Sequence, residues 1–313
     1  MSTHGIDSAY NRAEVGTVYI YILASILVIF FTFIYIYFVG YIIEKTINLG
    51  EKMYPSDIRS KLATGKPLLA TLMPSFQPHI ANATYNCKPD WVWIDTEHDP
   101  WGTESMGTLC VDGRKKGVAP VIRIPWNDPS YIKKAYDVGA VGVMIPQVDT
   151  PDEVRQAIHD AKYPPVGERG IAPFFAQYLD GVSARDVVDN ANDETLLILQ
   201  MESVEAWEQI DEILAIPDFE VILCGPADLS ASLGFPGDDA TNSKTENVMV
   251  DLAQKVKASG KALATVMMDV DHAKQWIKEG YNMMCIGTPL EYGTVELSKI
   301  FNDIRDEYGV DWH

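Results

Sequence analysis

The chain has 313 residues, 47% of them hydrophobic and 22% charged, an ordinary globular balance with ample length for a buried core. Its 44 acidic and 25 basic residues give a net charge of −19, which argues against a phosphate-gripping nucleic-acid binder. Cys87, Cys110, Cys224 and Cys285 are scattered without C-x-x-C spacing, so neither a disulfide framework nor a zinc cluster is predicted.

In chain order, residues 1–16 form a short tail. Thr17–Ile43 follows as 27 residues without a charge, long enough to span a bilayer as one helix. Tyrosines near both ends (Tyr19 and Tyr21; Tyr35, Tyr37 and Tyr41) match the interfacial placement of aromatic side chains. The run is too long for a signal-peptide core and no small-x-small cleavage site follows it, so it reads as a single-pass anchor in the lipid bilayer. Lys45, Lys52, Arg59 and Lys61 follow the run and only Arg12 precedes it, which places residues 44–313 in the cytosol. Residues 44–66 are a polar linker or a first helix covering the bottom of the next domain.

From residue 67 to 313 short apolar runs alternate with amphipathic stretches. The runs are Leu68–Leu72, Trp91–Ile94, Ala119–Ile124, Val141–Ile145, Thr195–Leu199, Val221–Cys224, Ala262–Val266 and Asn282–Ile286. Asp128-Pro129, Thr150-Pro151 and Ser203 stand where helices should start, and Gly139 and Gly280 where helices at 130–138 and 271–279 should stop. Eight strand–helix units predict a (β/α)8 barrel, with an open doubly wound sheet as the alternative. No G-x-G-x-x-G follows the first run, so a dinucleotide fold is not expected.

In a barrel the C-terminal strand ends converge on one mouth. There the sequence places Asp95, Glu97 and His98, then Arg123, Gln147, Gln200 and Glu202, and finally Asp228. Glu202 in LILQMES and Asp228 in LCGPADLS each follow an apolar run directly. Two such carboxylates make a hard, oxygen-rich pocket suited to a divalent cation.

DWVWIDTEHDP, VIRIPWNDP, AVGVMIPQVDT, YPPVGERG, LILQMESVEA and ILCGPADLSASLGFPG stand in that order. Over about residues 60–300 they resemble the HpcH/HpaI family of metal-dependent pyruvate aldolases. The resemblance implies reversible cleavage of a 4-hydroxy-2-oxo acid to pyruvate and an aldehyde, through a metal-bound pyruvate enolate. It implies a divalent ion (Mg²⁺, Mn²⁺ or Co²⁺) on Glu202 and Asp228, and an enolate-stabilising guanidinium at Arg123. Gln200 would bind near substrate or a metal-bound water, and backbone N–H groups at Ala227 and Asp228 would take the pyruvate carboxylate. The acid–base role falls on His98 with Asp95 beside it. Asp137 matches a family position supporting that histidine, within the chain or across a subunit interface. No strand-end lysine lies in these motifs, so no Schiff base is implied. The family forms trimers and hexamers, which implies a homo-oligomer.

Two departures stand out. The first strand, LLATLMPSF, lacks the family's tryptophan. The stretch after GERG, IAPFFAQYLD, is bulky, and Phe174, Phe175 and Tyr178 form either a subunit contact or a pocket wall. As a pocket wall they would favour an apolar acceptor aldehyde. The alternatives are an oxaloacetate-decarboxylating lyase resembling macrophomate synthase, a citrate-lyase-like enzyme acting on an acyl-CoA, and a non-catalytic membrane scaffold. The second is disfavoured because no basic surface for the CoA phosphates stands out.

Overall fold

The computed structural model describes residues 27, 30–32, 34–35, 52–237 and 242–309. The chain divides into two units, Met1–Glu51 and Lys52–His313. In the first unit the described residues, Leu27, Phe30, Phe31, Thr32, Ile34 and Tyr35, are helical. The rest of the apolar run 17–43 lies outside the described residues, and among the described residues no helix is long and apolar enough to cross a membrane.

The second unit is a closed barrel of eight parallel strands in sequential order. They are β1 (Leu68–Leu72), β2 (Trp91–Asp95), β3 (Ala119–Arg123), β4 (Gly142–Ile145), β5 (Leu196–Met201), β6 (Val221–Cys224), β7 (Ala262–Met267) and β8 (Met283–Ile286). The open-sheet alternative is excluded because β1 pairs with β8, Leu68 opposite Met283. Strand ends shift by at most two residues from the apolar runs. The largest shift is in β5, whose ladder carries Gln200 and Met201 against Leu223 and Cys224.

Side chains alternate in a strand, and here the two faces are separate cores. Trp91, Trp93, Val121, Leu196, Ile198, Val221 and Leu223 fill the barrel interior. Val92, Ile94, Ile122, Leu197, Leu199 and Ile222 pack outward under the helices. The inward register continues upward into polar residues: Asp95 after Trp91 and Trp93, Arg123 after Val121, Gln200 and Glu202 after Leu196 and Ile198.

The helix starts are capped by the residues the sequence offers. Asp128 accepts from the Ser130 N–H at 2.8 Å, Thr150 and Glu153 form a capping box, and Ser203 accepts from the Ala206 N–H at 3.0 Å. Gly280 ends its helix at φ +118°, a left-handed conformation that an L side chain resists.

The lower end of the barrel is closed by helix α1 (Pro55–Leu62), whose Ile58 is wholly buried. Arg59 donates to the Thr195 carbonyl at 2.8 Å and pairs with Glu220. Glu220 also accepts from the Leu197 N–H at 2.6 Å and from buried Lys162 at 3.0 Å. Burial holds the Lys162 ammonium below its usual pKa, with Glu220 opposing that shift.

The bulky stretch after Gly170 is largely helical. It forms two helices, Phe174–Asp180 and Ala184–Glu194. The first lies on the flank of the barrel, with the Phe175 ring near Gly107 and Gly139 and Asp180 paired to buried Arg114 at 2.6 Å.

Candidate active site

The mouth opens into a cavity of about 410 Å³. Trp93, His98, Arg123 and Gln200 line it from β2, β3 and β5; Gly225, Ala227 and Asp228 from the turn after β6; Met267, Met268, Asp269 and His272 from the end of β7.

Asp95 and Arg123 stand opposite one another in the β2–β3 register, which makes their pairing a consequence of the ladder. Arg123 Nε donates to Asp95 Oδ1 at 3.0 Å, and Nη2 donates to Oδ2. Its third nitrogen, Nη1, lies 3.1 Å from Glu97 Oε2. The guanidinium stacks on Trp93, 4.7 Å from the ring centre. Arg123 and Asp95 are both buried, so this fork is held rigidly.

His98 is more exposed than its neighbours. Its Nε2 lies 3.7 Å from Glu97 Oε2, too far for a hydrogen bond in this geometry. Asp95 does not reach the imidazole. Besides Arg123, its Oδ1 accepts from the backbone N–H groups of Glu97 at 3.0 Å and His98 at 3.4 Å. Asp95 therefore shapes the turn that carries His98, and Glu97 stands nearer to the ring. Burial raises the pKa of Glu97, with Arg123 opposing it.

Glu202 is 4% exposed and, among the described residues, has no cationic partner. Its Oε1 accepts from the Gln147 backbone N–H at 3.0 Å, and Oε2 accepts from Gln200 Nε2. Gln147 reaches this position with φ +51°, so it contributes its main chain where the sequence suggested its side chain. Burial raises the Glu202 pKa to about 7; the charges of Asp228 and Glu97 push the same way, and the Gln200 and Gln147 bonds oppose it. The other amide atom of Gln200, Oε1, is buried without a partner.

Gly225 is a site residue that the sequence reading missed. It takes the next inward position of β6, after Val221 and Leu223. A Cβ there would stand 2.5 Å from Glu202 Oε2. The clue was a glycine directly after an apolar strand and before a carboxylate. Asp228 follows in the first turn of helix Pro226–Ser232, exposed to the cavity beside Ala227. The first-turn N–H groups of a helix have no acceptor within it.

Asp137 is not in this cavity. It ends helix Pro129–Asp137, whose C-terminus is at the lower end of the barrel, and accepts from Arg169 Nη2 at 2.8 Å. Arg169 is held between the Tyr136 and Tyr163 rings, 4.6 Å from each centre. Phe174, Phe175 and Tyr178 do not line the cavity either, so the case they made for an apolar acceptor does not extend to this cavity.

A divalent cation fits one part of this mouth. Glu202 and Asp228 supply oxygen donors, Glu202 lacks a positive neighbour, and Gln200 Oε1 is a buried acceptor beside it. Among the described residues no group of three His, Cys, Asp or Glu side chains converges. Two carboxylates leave the remaining positions to water and substrate oxygens, the usual arrangement for Mg²⁺.

The profile of the HpcH/HpaI aldolase/citrate lyase family matches residues 70–292. A 2-keto-3-deoxy-L-rhamnonate aldolase from Escherichia coli is 31% identical over 229 residues, covering 73% of this chain and 85% of that protein. Among solved structures, an HpcH/HpaI aldolase from Desulfitobacterium hafniense superposes with a TM-score of 0.74 at 26% identity, covering 79% of this chain and 96% of that one. Macrophomate synthase, at 21% identity and a TM-score of 0.65 over 81% of this chain and 89% of its own, shares the fold.

Gly225→Ala tests the crowding around Glu202. It should lower unfolding stability by about 1–3 kcal/mol, the usual range for overpacking. The loss should shrink in a Glu202→Ala background, which removes the nearest colliding atom. Equal losses in both backgrounds, measured by urea denaturation, would show that Glu202 is not what the glycine accommodates.

Proposed function

The chain belongs to the HpcH/HpaI aldolase/citrate lyase family of carbon–carbon lyases, and we propose that it cleaves a 4-hydroxy-2-oxo acid reversibly to pyruvate and an aldehyde with a divalent cation at Glu202 and Asp228. The observation that carries this reading is Glu202: a buried carboxylate without a cationic partner, at a mouth whose one guanidinium is already committed to Asp95 and Glu97. The activity named for the Escherichia coli relative points to a 2-keto-3-deoxy sugar acid as the substrate class.

When bound, the cation supplies Lewis-acid polarisation of the 2-oxo group. The protein's own residues do the rest. Arg123, fixed by Asp95, Glu97 and Trp93, presents a preorganised positive charge to the oxygen that becomes an enolate. Gln200 orients Glu202. His98 removes the proton from the 4-hydroxyl, the C3–C4 bond breaks, its electron pair stays with the pyruvate half, and the aldehyde departs. The same imidazole returns the proton to C3. Its exposure leaves it free to move between the 4-hydroxyl and C3.

Purified protein should release pyruvate from a 2-keto-3-deoxy sugar acid, lose the activity in chelator and regain it with Mg²⁺ or Mn²⁺. Glu202→Gln should lower kcat by at least about a hundredfold even with metal restored. Full activity of that variant would contradict the role given to Glu202.

We further infer a homo-oligomer and a membrane anchor. Helix Pro289–Tyr308 buries none of its residues, yet Leu290, Val295, Leu297, Ile300, Phe301 and Ile304 lie along it, each about half exposed. So much apolar surface on one helix calls for a cover, and a second copy of the chain provides one. The uncharged run 17–43 supports anchoring, with the barrel on the cytosolic side. Alkaline carbonate should leave the full-length protein in the membrane pellet, and light scattering in detergent should give a mass of at least three chains. Release into the supernatant removes the anchor, and a monomer removes the assembly.

A further inference from the structure

We propose that Asp269 and His272 recognise the acceptor half of the substrate, by accepting a hydrogen bond from a hydroxyl beyond the bond that breaks. This inference rests on the aldolase reading above.

β7 ends at Met267, and the following turn leads through Met268 and Asp269 into helix Val270–Glu279. Asp269 caps that helix: its Oδ1 accepts from the N–H groups of Asp271 at 3.0 Å and His272 at 2.9 Å. Its other oxygen, Oδ2, meets Nδ1 of the His272 ring. An ionised carboxylate can only accept, so Nδ1 carries the ring proton. Nε2 is then the nitrogen left to a ligand, and in the neutral ring it is an acceptor. The cap thus fixes both the position and the tautomer of an imidazole that lines the same cavity as Arg123, Gln200 and Asp228.

The place of this pair on the ring of strands gives it a role. In a closed barrel of eight strands, β7 lies opposite β3. The groups assigned to the pyruvate half come from β3, from β5 and from the turn after β6. A substrate held there by its carboxylate and 2-oxo group has to send C4 and the carbons beyond it toward β7 and β1. That side offers an apolar wall of Leu72, Val266, Met267 and Met268, with Asp269 and His272 on its rim.

The charges narrow the acceptor further. Among the described residues lining the cavity, Arg123 is the one Arg or Lys, and its three nitrogens face Asp95 and Glu97. An acceptor half ending in a carboxylate would meet Asp228 and Asp269, with Arg123 held on the pyruvate side of the cavity. One carrying a hydroxyl on the carbon after C4 would find an acceptor in His272 Nε2 and methionine side chains, which adapt to varied shapes, around its carbon chain.

The test compares two substrates of equal chain length, 4,5-dihydroxy-2-oxohexanoate and 4-hydroxy-2-oxohexanoate, with full-length protein and Mg²⁺. Wild type should prefer the dihydroxy acid in kcat/KM. In His272→Ala that preference should fall by about tenfold, mainly through KM, as expected for one lost hydrogen bond. His272→Gln keeps an acceptor oxygen and should restore most of the preference. A preference unchanged in His272→Ala, or an equal loss on both substrates, would overturn the inference. Deuterium exchange at C3 of pyruvate by wild type examines the aldolase reading separately. Its absence would overturn that reading and this inference together; its presence with an unchanged preference would overturn this inference alone.

Discussion

The mouth of the barrel carries more negative charge than its own cations can balance. Asp228 lines the cavity, Asp95, Glu97 and Glu202 stand behind its wall, and among the described residues a single guanidinium, Arg123, lies with them. Arg123 settles Asp95 by a two-point contact and Glu97 by its remaining nitrogen. Glu202 receives only a side-chain amide and a backbone N–H. Isolated charges of this kind are expensive to bury, which is why its pKa rises to about 7. A cation held between Glu202 and Asp228 would relieve that cost, and the same charge would serve the chemistry. The surrounding structure is consistent with keeping Glu202 in place. Gly225 leaves room for its oxygen, Gln147 offers its N–H at a positive φ, and Gln200 donates to it from the end of β5.

Strand alternation carries this arrangement from sequence to site. The same inward register that packs Leu196 and Ile198 into the barrel core delivers Gln200 and Glu202 to its rim. The same holds for Trp91, Trp93 and Asp95 on β2, and for Val121 and Arg123 on β3. Stability and function thus occupy different heights of one set of strands. The lower end is closed by α1 and the Arg59–Glu220–Lys162 network, and the upper end is left for ligands.

This geometry explains what was legible in the sequence. Apolar runs of four to six residues, several with a polar residue within four positions of their end, mark strand ends in a parallel barrel. Glu202, Arg123, Gln200 and Asp228 are therefore placed at the mouth by the sequence pattern alone. Contacts between separate turns were not legible. Nothing local says that Asp95 binds Arg123 and the turn backbone rather than the His98 ring, because that depends on the register of β2 against β3. Asp137 follows Arg123 closely in sequence, yet the helix between them carries it to the other end of the barrel, where Arg169 holds it. Phe174 and Tyr178 could not be assigned between pocket wall and subunit contact because the proline and glycines around them mask a seven-residue helix on the barrel's flank. Asp269 and His272 were passed over since neither sits in an apolar run; their spacing is that of a helix cap.

The central claim is that Glu202 and Asp228 hold a divalent cation. It is tested most directly by titrating Mn²⁺ into metal-free protein and counting bound ions by electron paramagnetic resonance. The account expects one ion per chain in the wild type, and a large loss of affinity in Glu202→Gln and in Asp228→Asn. Absence of binding in the wild type, or binding unchanged in both variants, would contradict it.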